Sequence, residues 1–249
     1  MGFLSGLFGK KNNIHEPVEN PFMVDMHSHL LPGIDDGSES FDESVEMISG
    51  LVALGYKKFI TTPHVMQDFY KNSPENIIPL CEKLNAVLKE KNIDATVHPS
   101  AEYMLDENFE KILEEGNLLS FGPKKYVVVE TSYLSAPPNF NEYIFNLNIA
   151  GYSPILAHPE RYTYMYDDFD KYKKLFDRNL CFQLNLASLG GYYSKEAKKI
   201  AERLIKENMV NFVGTDIHHT RHVGVMKFAQ ESQAFAELTK LNILNNSLL

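Results

Sequence analysis

The sequence predicts a single α/β domain built on parallel strands. Three observations carry this. The chain has 249 residues, a length common for one α/β barrel or doubly wound domain. From Phe22 onward short β-type runs recur, rich in Val, Ile, Phe and Thr and bounded by Gly, Pro and Asn. Each run is followed by a loop and a helix-type stretch, an order that implies parallel strands joined by crossover helices.

The strand candidates, in order, are FMVDMH (22–27), KKFITTPH (57–64), ATVHPSAEY (95–103), KYVVVET (125–131), SPILAHPE (153–160), CFQLNLAS (181–188) and VNFVGTD (210–216). Helices fill the gaps. Ser40 and Glu43 have the spacing of a capping box. Val45, Ile48, Leu51 and Val52 follow at helical spacing, and Gly55 stands where that helix would stop. A second helix is expected over 73–90, with Ile77, Leu80, Leu84 and Leu88 in step. Ala197, Ile200, Ala201 and Leu204 mark a third, and the last is expected over about 224–241. An open doubly wound sheet and a barrel of seven or eight strands both satisfy this alternation. Neither GxGxxG nor GxxxxGK[ST] occurs, so both common nucleotide-binding signatures are missing.

At 44% hydrophobic and 23% charged the chain suits a globular protein with a real core. Its formal net charge of −9 argues against a nucleic-acid partner, which calls for a basic footprint. A phosphorylated substrate remains open, because bound metal ions can invert the local field. Cys81 and Cys181 are far apart and form no CxxC pair, which fits a reducing compartment and gives no disulfide framework. No apolar run approaches the roughly 20 residues of a membrane span. The start, MGFLSGLFGKKNN, is not expected to be a secretory signal, since its apolar stretch is short, precedes the lysines and lacks a convincing cleavage site. Residues 1–21 are expected to be a flexible tail, with Phe3, Leu4, Leu7 and Phe8 available for membrane or partner contact. Residues 22–249 are expected to form the catalytic domain.

In parallel α/β folds active sites gather at the C-terminal ends of the strands. The first predicted strand ends in His27 and His29, the second in His64, the third near Glu102, the fourth at Glu130, the fifth at His158 and the seventh at Asp216 and His218. Only the sixth, with Gln183 and Asn185, lacks an evident ligand. A lone histidine at a strand end is usually structural. Eight ligand-type residues on one rim point instead to metal. Imidazole and carboxylate without thiolate suit Mn, Fe, Zn or Co. The donors are too many for one ion, so two or three ions bridged by carboxylates are expected, a grouping typical of phosphoester hydrolysis.

At these residues the sequence resembles the PHP (polymerase and histidinol phosphatase) family. More narrowly, it resembles the CpsB/CapC-type bacterial tyrosine-protein phosphatases linked to capsule and exopolysaccharide synthesis. The matching segments are DMHSHLLPGIDDG, TTPHV, AEY, VVVE, LAHPERY and GTDIHH, spanning residues 25–219. HxH alone is weak, whereas the DDG spacing together with HPER and TDIH is specific. The resemblance implies a distorted (β/α)7 barrel with a trinuclear centre, often holding manganese. It implies one ion on His27, His29, Glu102 and Asp216, a second on Glu102, Glu130 and His158, and a third on Asp36, His64 and His218. Asp36 is preferred to Asp35 because the family aligns its ligand on the second aspartate of the pair. It also implies a phosphotyrosine protein substrate, namely a tyrosine autokinase of polysaccharide export, and a cytoplasmic location for the chain itself. The chain departs from the pattern in having His219 where the family usually has Asn, and in its N-terminal tail.

The expected reaction is in-line attack on phosphorus by a hydroxide bridging the metals, with charge on the phosphoryl oxygens taken up by the ions and a guanidinium. Arg161, three residues after His158, is the leading candidate, and Arg221 is a second. A tyrosyl leaving group, with a pKa of about 10, needs little help from a general acid. His222 and Asp68 are candidates that nothing in the sequence favours further. The cysteine-based tyrosine phosphatase mechanism needs an Arg six positions after the nucleophile, but Val87 follows Cys81 and Ala187 follows Cys181 at that distance. Tyr162, Tyr164, Tyr166, Tyr192, Tyr193, Phe69 and Tyr70 lie in loops after strands. They form either a collar around an aromatic substrate or ordinary loop packing. His98, Met47 and Met226 are expected to be structural. The alternative substrate is a small phosphomonoester such as histidinol phosphate. Two further alternatives are an amidohydrolase-type enzyme, which would commonly want a carboxylated lysine at a strand end, and a non-catalytic binding module.

Overall fold

A computed structural model describes residues 19–249. The contact role proposed for Phe3, Leu4, Leu7 and Phe8 lies outside the described residues, as does most of the expected tail.

Every paired strand is parallel. β1 (Val24–Asp25), β2 (Lys58–Thr61) and β4 (Thr96–Pro99) form one sheet in the order β1-β2-β4. β3 (His64–Val65), β5 (Glu102–Met104), β6 (Tyr126–Glu130), β7 (Ser153–Ala157), β8 (Cys181–Asn185) and β9 (Phe212–Gly214) form the other, in that order. The two sheets are halves of one wall. β2 and β3 belong to the second predicted strand, broken at Thr62 and Pro63, and β4 and β5 belong to the third, broken at Ser100 and Ala101. Proline has no N–H for the ladder, so a break at Pro63 is expected. Hydrogen bonds still cross both breaks, from Ser100 N to Thr61 O at 2.9 Å and from Glu102 N to Pro63 O at 3.0 Å.

The wall closes on itself. Beyond β1, Ser28 bridges in parallel to Ile217 beyond β9. His29 N donates to Ile217 O at 3.0 Å and Asp216 N to His27 O at 2.8 Å, while Thr62 N donates to Ser28 O at 2.7 Å on the other side. The result is a distorted (β/α)7 barrel.

Side-chain alternation sets what fills it. Val24, Met26, Ile60, Tyr126, Val128, Ile155, Ala157 and Phe212 form one buried cluster, closed from below by Phe121 and by Leu248 of the last turn. The intervening residues, among them Phe59, Val97, Val127, Val129, Leu156, Phe182, Leu184 and Val213, pack outward into the larger core beneath the helices. Two-residue steps up the inward face lead from Ile60 to His64, from Val128 to Glu130 and from Phe212 to Asp216. Apolar filling below thus becomes polar at the C-terminal rim.

The expected helices form, with corrections at their ends. α1 (Phe41–Ala53) is capped by the Ser40 hydroxyl, which accepts from Glu43 N at 3.2 Å. The Glu43 carboxylate takes Glu39 N rather than Ser40 N, so the box is shifted by one residue on that side. Gly55, at φ +100°, lies just past its end, where a side chain would be strained. α2 (Pro74–Glu90) starts after Ser73 as expected. Three short helices, α3 (Glu107–Glu114), α4 (Phe140–Ile149) and α5 (Phe169–Phe176), were not marked by periodicity. Two or three turns give too few repeats to stand out. Strand 181–188 ends early because the Asn185 side chain accepts from Ala187 N and starts α6 (Leu186–Leu189). α7 (Lys195–Lys206) matches the third expected helix. The final helix is two, α8 (Arg221–Gln230) and α9 (Gln233–Leu238), because Ser232 leaves helical geometry to cap α9 through Phe235 N. Among the described residues no helix is long and apolar enough to cross a membrane.

Candidate metal centre

The rim residues converge. His27, His29, Glu102, Glu130, His158 and Asp216 are almost fully buried, His64 slightly less so, and Asp36 is about half exposed. Ligand-type atoms fall into four overlapping groups, each with all its atoms within 4.8 Å of one another: His29, Asp36, His64 and His218; His27, His29 and Asp216; His27, Glu102 and His158; His64, Glu102 and Glu130. All nine residues singled out as ligands are therefore together. Glu102 sits at the middle, with Oε2 3.3 Å from His27 Nε2 and 3.1 Å from His64 Nδ1, and Oε1 3.0 Å from His158 Nε2.

The outer nitrogens fix which ring atoms face inward. His27 Nδ1 bonds Gln183 Oε1 at 2.8 Å, His29 Nδ1 bonds Asp35 Oδ2 at 2.8 Å, and His218 Nδ1 bonds the Asp216 carbonyl at 2.9 Å. Each leaves Nε2 for the centre, an arrangement that orients ligating imidazoles. The adjacent aspartates differ in their surroundings. Asp35 also accepts from His64 N and Gly37 N, whereas Asp36 Oδ1 lies 3.4 Å from His64 Nε2 and 3.5 Å from His218 Nε2. His64 faces both ways, with Nε2 toward Asp36 and Nδ1 2.9 Å from Glu130 Oε1.

The donor set fits divalent cations. His64 Nδ1, Glu102 Oε2 and Glu130 Oε1 are buried, and despite their short separations none makes an aligned hydrogen bond. Buried polar atoms without partners are rare, and a shared cation satisfies them. Charge agrees. Burial alone would raise the Glu102 and Asp216 carboxyls, yet His27 and His64 beside the first, and His27 and His218 beside the second, hold both well below the usual carboxylate range. Burial likewise opposes the His27 and His29 imidazolium forms. Glu102 and Asp216 outweigh it at His27, and Asp35 and Asp216 at His29, so both titrate above the ordinary histidine value.

The backbone bends to deliver these groups. His158 at φ +34° and Asp216 at φ +50° are both left-handed, a cost that clusters at functional sites. For His158 it is the point where β7 stops and the turn Pro159–Arg161 begins, so this strand is shorter than the expected 153–160. A Cβ on Gly214 would lie 2.6 Å from His27 Cβ, and one on Gly37 would lie 2.4 Å from His29 O, so both glycines permit close approach to the centre.

The remaining candidates divide. Arg161 lies beside the centre, with Nη1 donating to Asp216 Oδ2 at 2.8 Å. Arg221 opens α8 and is exposed. His222 Nδ1 accepts from His218 N, and Nε2 lies 3.0 Å from Tyr192 OH. Burial, with His218 and His219 nearby, pushes it down to about 4, so it is neutral near pH 7 and unsuited to be a general acid. Asp68 is exposed. Tyr70 stacks on the His64 ring at 5.7 Å. Tyr162 is not part of a collar. It is fully buried, and its hydroxyl accepts from Thr131 N.

Sequence reasoning overlooked the support. Gln183 also accepts from His158 N, and Asn185 donates to Asp216 Oδ2 at 2.7 Å. Asp25 accepts from Thr215 N and its hydroxyl, tying β1 to the strand that carries Asp216. Tyr133 lies 5.7 Å from the His158 ring and 4.5 Å from the Arg161 guanidinium. Gln183 and Asn185 did stand at a strand end, which was the available signal. Tyr133 had none.

A family model for capsular polysaccharide synthesis, CpsB/CapC, matches residues 23–228. The chain belongs to the CpsB/CapC family. Within it, the chain is 29% identical over 231 residues to the tyrosine-protein phosphatase YwqE of Bacillus subtilis, covering 91% of each. It is 26% identical over 204 residues to the tyrosine-protein phosphatase CpsB of Streptococcus pneumoniae, covering 79% of this chain and 83% of that one. A crystal structure from work on YwqE and CpsB, described as metal-dependent tyrosine phosphatases, superposes with a TM-score of 0.77 at 29% identity, over 89% of this chain and 96% of that chain. The match of a CpsB/CapC model to nearly the whole barrel places every converging residue of the rim inside the shared region.

Proposed function

We propose that the protein is a metal-dependent protein-tyrosine phosphatase, a phosphoric monoester hydrolase. The observation that carries this is the buried imidazole and carboxylate cluster at the C-terminal rim of a CpsB/CapC barrel. The centre would take three divalent ions, with manganese the first choice and iron, zinc and cobalt the others its donors suit. His27, His29, Glu102 and Asp216 would hold one; Glu102, Glu130 and His158 a second; Asp36, His64 and His218 a third. Bound ions supply Lewis-acid charge and lower the pKa of water toward neutrality.

The chain's own residues do the rest. Glu102, central to the cluster, shares its two oxygens among neighbouring imidazoles. Gln183, Asp35 and the Asp216 carbonyl fix the rings of His27, His29 and His218. Arg161, held at the edge of the centre, meets the phosphoryl oxygens with its free N–H groups. Arg221, at the start of α8, adds a second guanidinium when a larger substrate closes over the rim. The tyrosyl oxygen leaves without a dedicated acid. Thiol chemistry is not available, because burial pushes Cys81 up to about 12 and also raises Cys181.

A macromolecular substrate is favoured by the loops beside the centre, where Phe69 and Leu134 are 78% and 77% exposed. The substrate we infer is a tyrosine autokinase of polysaccharide export, met in the cytoplasm. The test is metal removal, restoration of manganese, and phosphate release from matched phosphotyrosine and phosphoserine peptides with histidinol phosphate alongside. Metal-dependent release confined to phosphotyrosine is expected. Preference for histidinol phosphate would replace this reading with a small-molecule phosphatase.

A further inference from the structure

The Arg161 guanidinium is unusually constrained for a loop arginine. Its Cζ lies 3.9 Å from the centre of the Tyr193 ring and 4.5 Å from that of Tyr133. Nη1 donates to Asp216 Oδ2 at 2.8 Å. Tyr193 is anchored in turn, its hydroxyl accepting from Asn185 Nδ2 at 2.9 Å and donating toward Asp216 Oδ2 at 3.4 Å. Asn185 donates to the same oxygen at 2.7 Å. Asp216 is therefore divided. Oδ2 collects Arg161, Asn185 and Tyr193, while Oδ1 lies 3.4 to 3.5 Å from His27 Nε2, His29 Nε2 and His218 Nδ1. Tyr133, for its part, rests 5.7 Å from the His158 ring, so the plane it offers Arg161 is referenced to the cluster.

We propose that Tyr133 and Tyr193 are positioning residues that hold Arg161 in one orientation for a tetrahedral phosphoryl group beside the cluster. An arginine side chain carries much rotamer freedom, and a carboxylate partner alone lets it pivot. Two aromatic rings against the guanidinium restrict that freedom and leave the N–H groups that Asp216 does not take for a ligand. Those N–H groups suit paired phosphoryl oxygens. Two loops from different parts of the chain meet on one arginine, which simple loop packing does not require. The inference rests on the phosphatase reading, but it concerns oxyanion binding and is tested separately from turnover.

The experiment measures binding of inorganic phosphate to manganese-loaded protein by calorimetry, with metal content determined for each variant. Tyr133→Phe keeps the ring and should bind phosphate within about twofold of the parent. Tyr133→Leu and Tyr193→Leu should weaken phosphate by about 2- to 30-fold, the span of one cation–π contact, with metal content unchanged. In an Arg161→Ala background the Leu substitutions should have no further effect, the mark of action through Arg161. Tyr133 is 37% exposed, so Tyr133→Leu carries the test should Tyr193→Leu not fold. Leu variants that keep their metal and bind phosphate like the parent would overturn the proposal. So would equal losses with and without Arg161. Tight phosphate binding by a parent that releases nothing from phosphotyrosine would sink the phosphatase reading and leave this one standing.

Discussion

Asp35 is not among the groups of converging ligand atoms, yet its Oδ2 fixes the His29 ring and takes His64 N. Removing it frees an imidazole to turn and leaves a buried N–H unpaired. Asp35→Ala should weaken metal affinity by about 10- to 100-fold, read by titration with manganese. Protons compete with ions for the same rings. His64 is pushed up to about 9, where burial and neighbouring His29 oppose the charge and Glu102 and Glu130 outweigh them. With histidines raised above their ordinary value, the ion-free protein is protonated there at pH 7, and only the deprotonated form binds metal. Loading should therefore release protons, and apparent affinity should climb as pH rises from 6 toward 9, measured in weakly buffered titrations. The thiols should be silent. Cys81→Ser with Cys181→Ser should keep phosphotyrosine hydrolysis within about twofold, because neither sulfur is available as thiolate; loss of activity with metal content intact would bring back a cysteine nucleophile.

The helices brace the strands whose ends carry the site. α1 buries Met47, Ile48 and Leu51 completely in the outer core. Leu51→Ala should cost about 2–5 kcal/mol of stability, measured by urea unfolding, with metal stoichiometry unchanged in the folded fraction. How legible each element was follows its length. α1 and α2 showed several apolar repeats and a serine at the start, and both formed where expected. α3 and α5 have eight residues each, and each buries only one or two side chains. Their periodicity cannot be told from chance. The strands were legible in position but overlong at the rim. There His158 and Asn185 turn the chain away for reasons that are local geometry rather than composition.

The barrel is a frame whose upper rim is charged and whose lower half is apolar, closed below by Asn245 and Leu248. Buried histidines and carboxylates without full partners strain such a frame until a cation joins them. Manganese at 100 times its dissociation constant should raise stability by about 2.7 kcal/mol per site, seen as a rise in Tm that chelation reverses. An unchanged Tm would mean that the cluster does not bind the ion.

The amino-acid sequence was enough for the alternation of strands and helices and for eight of the nine ligand-type residues, since each of the eight stands at or just past the end of a β-type run, while the family resemblance supplied Asp36 and the choice of a barrel over an open sheet. Ligand chemistry is written in residue type, and strand ends are written in apolar patterning. The rest needed the tertiary structure. That His64 faces Asp36 with one nitrogen and Glu130 with the other depends on ring orientation. The selection of Asp35 to hold His29 depends on the path of the loop between them. The meeting of Tyr133 and Tyr193 on Arg161 joins loops 60 positions apart. Such contacts arise only when the barrel closes and brings the strand ends onto one rim, and no local pattern in the chain encodes them.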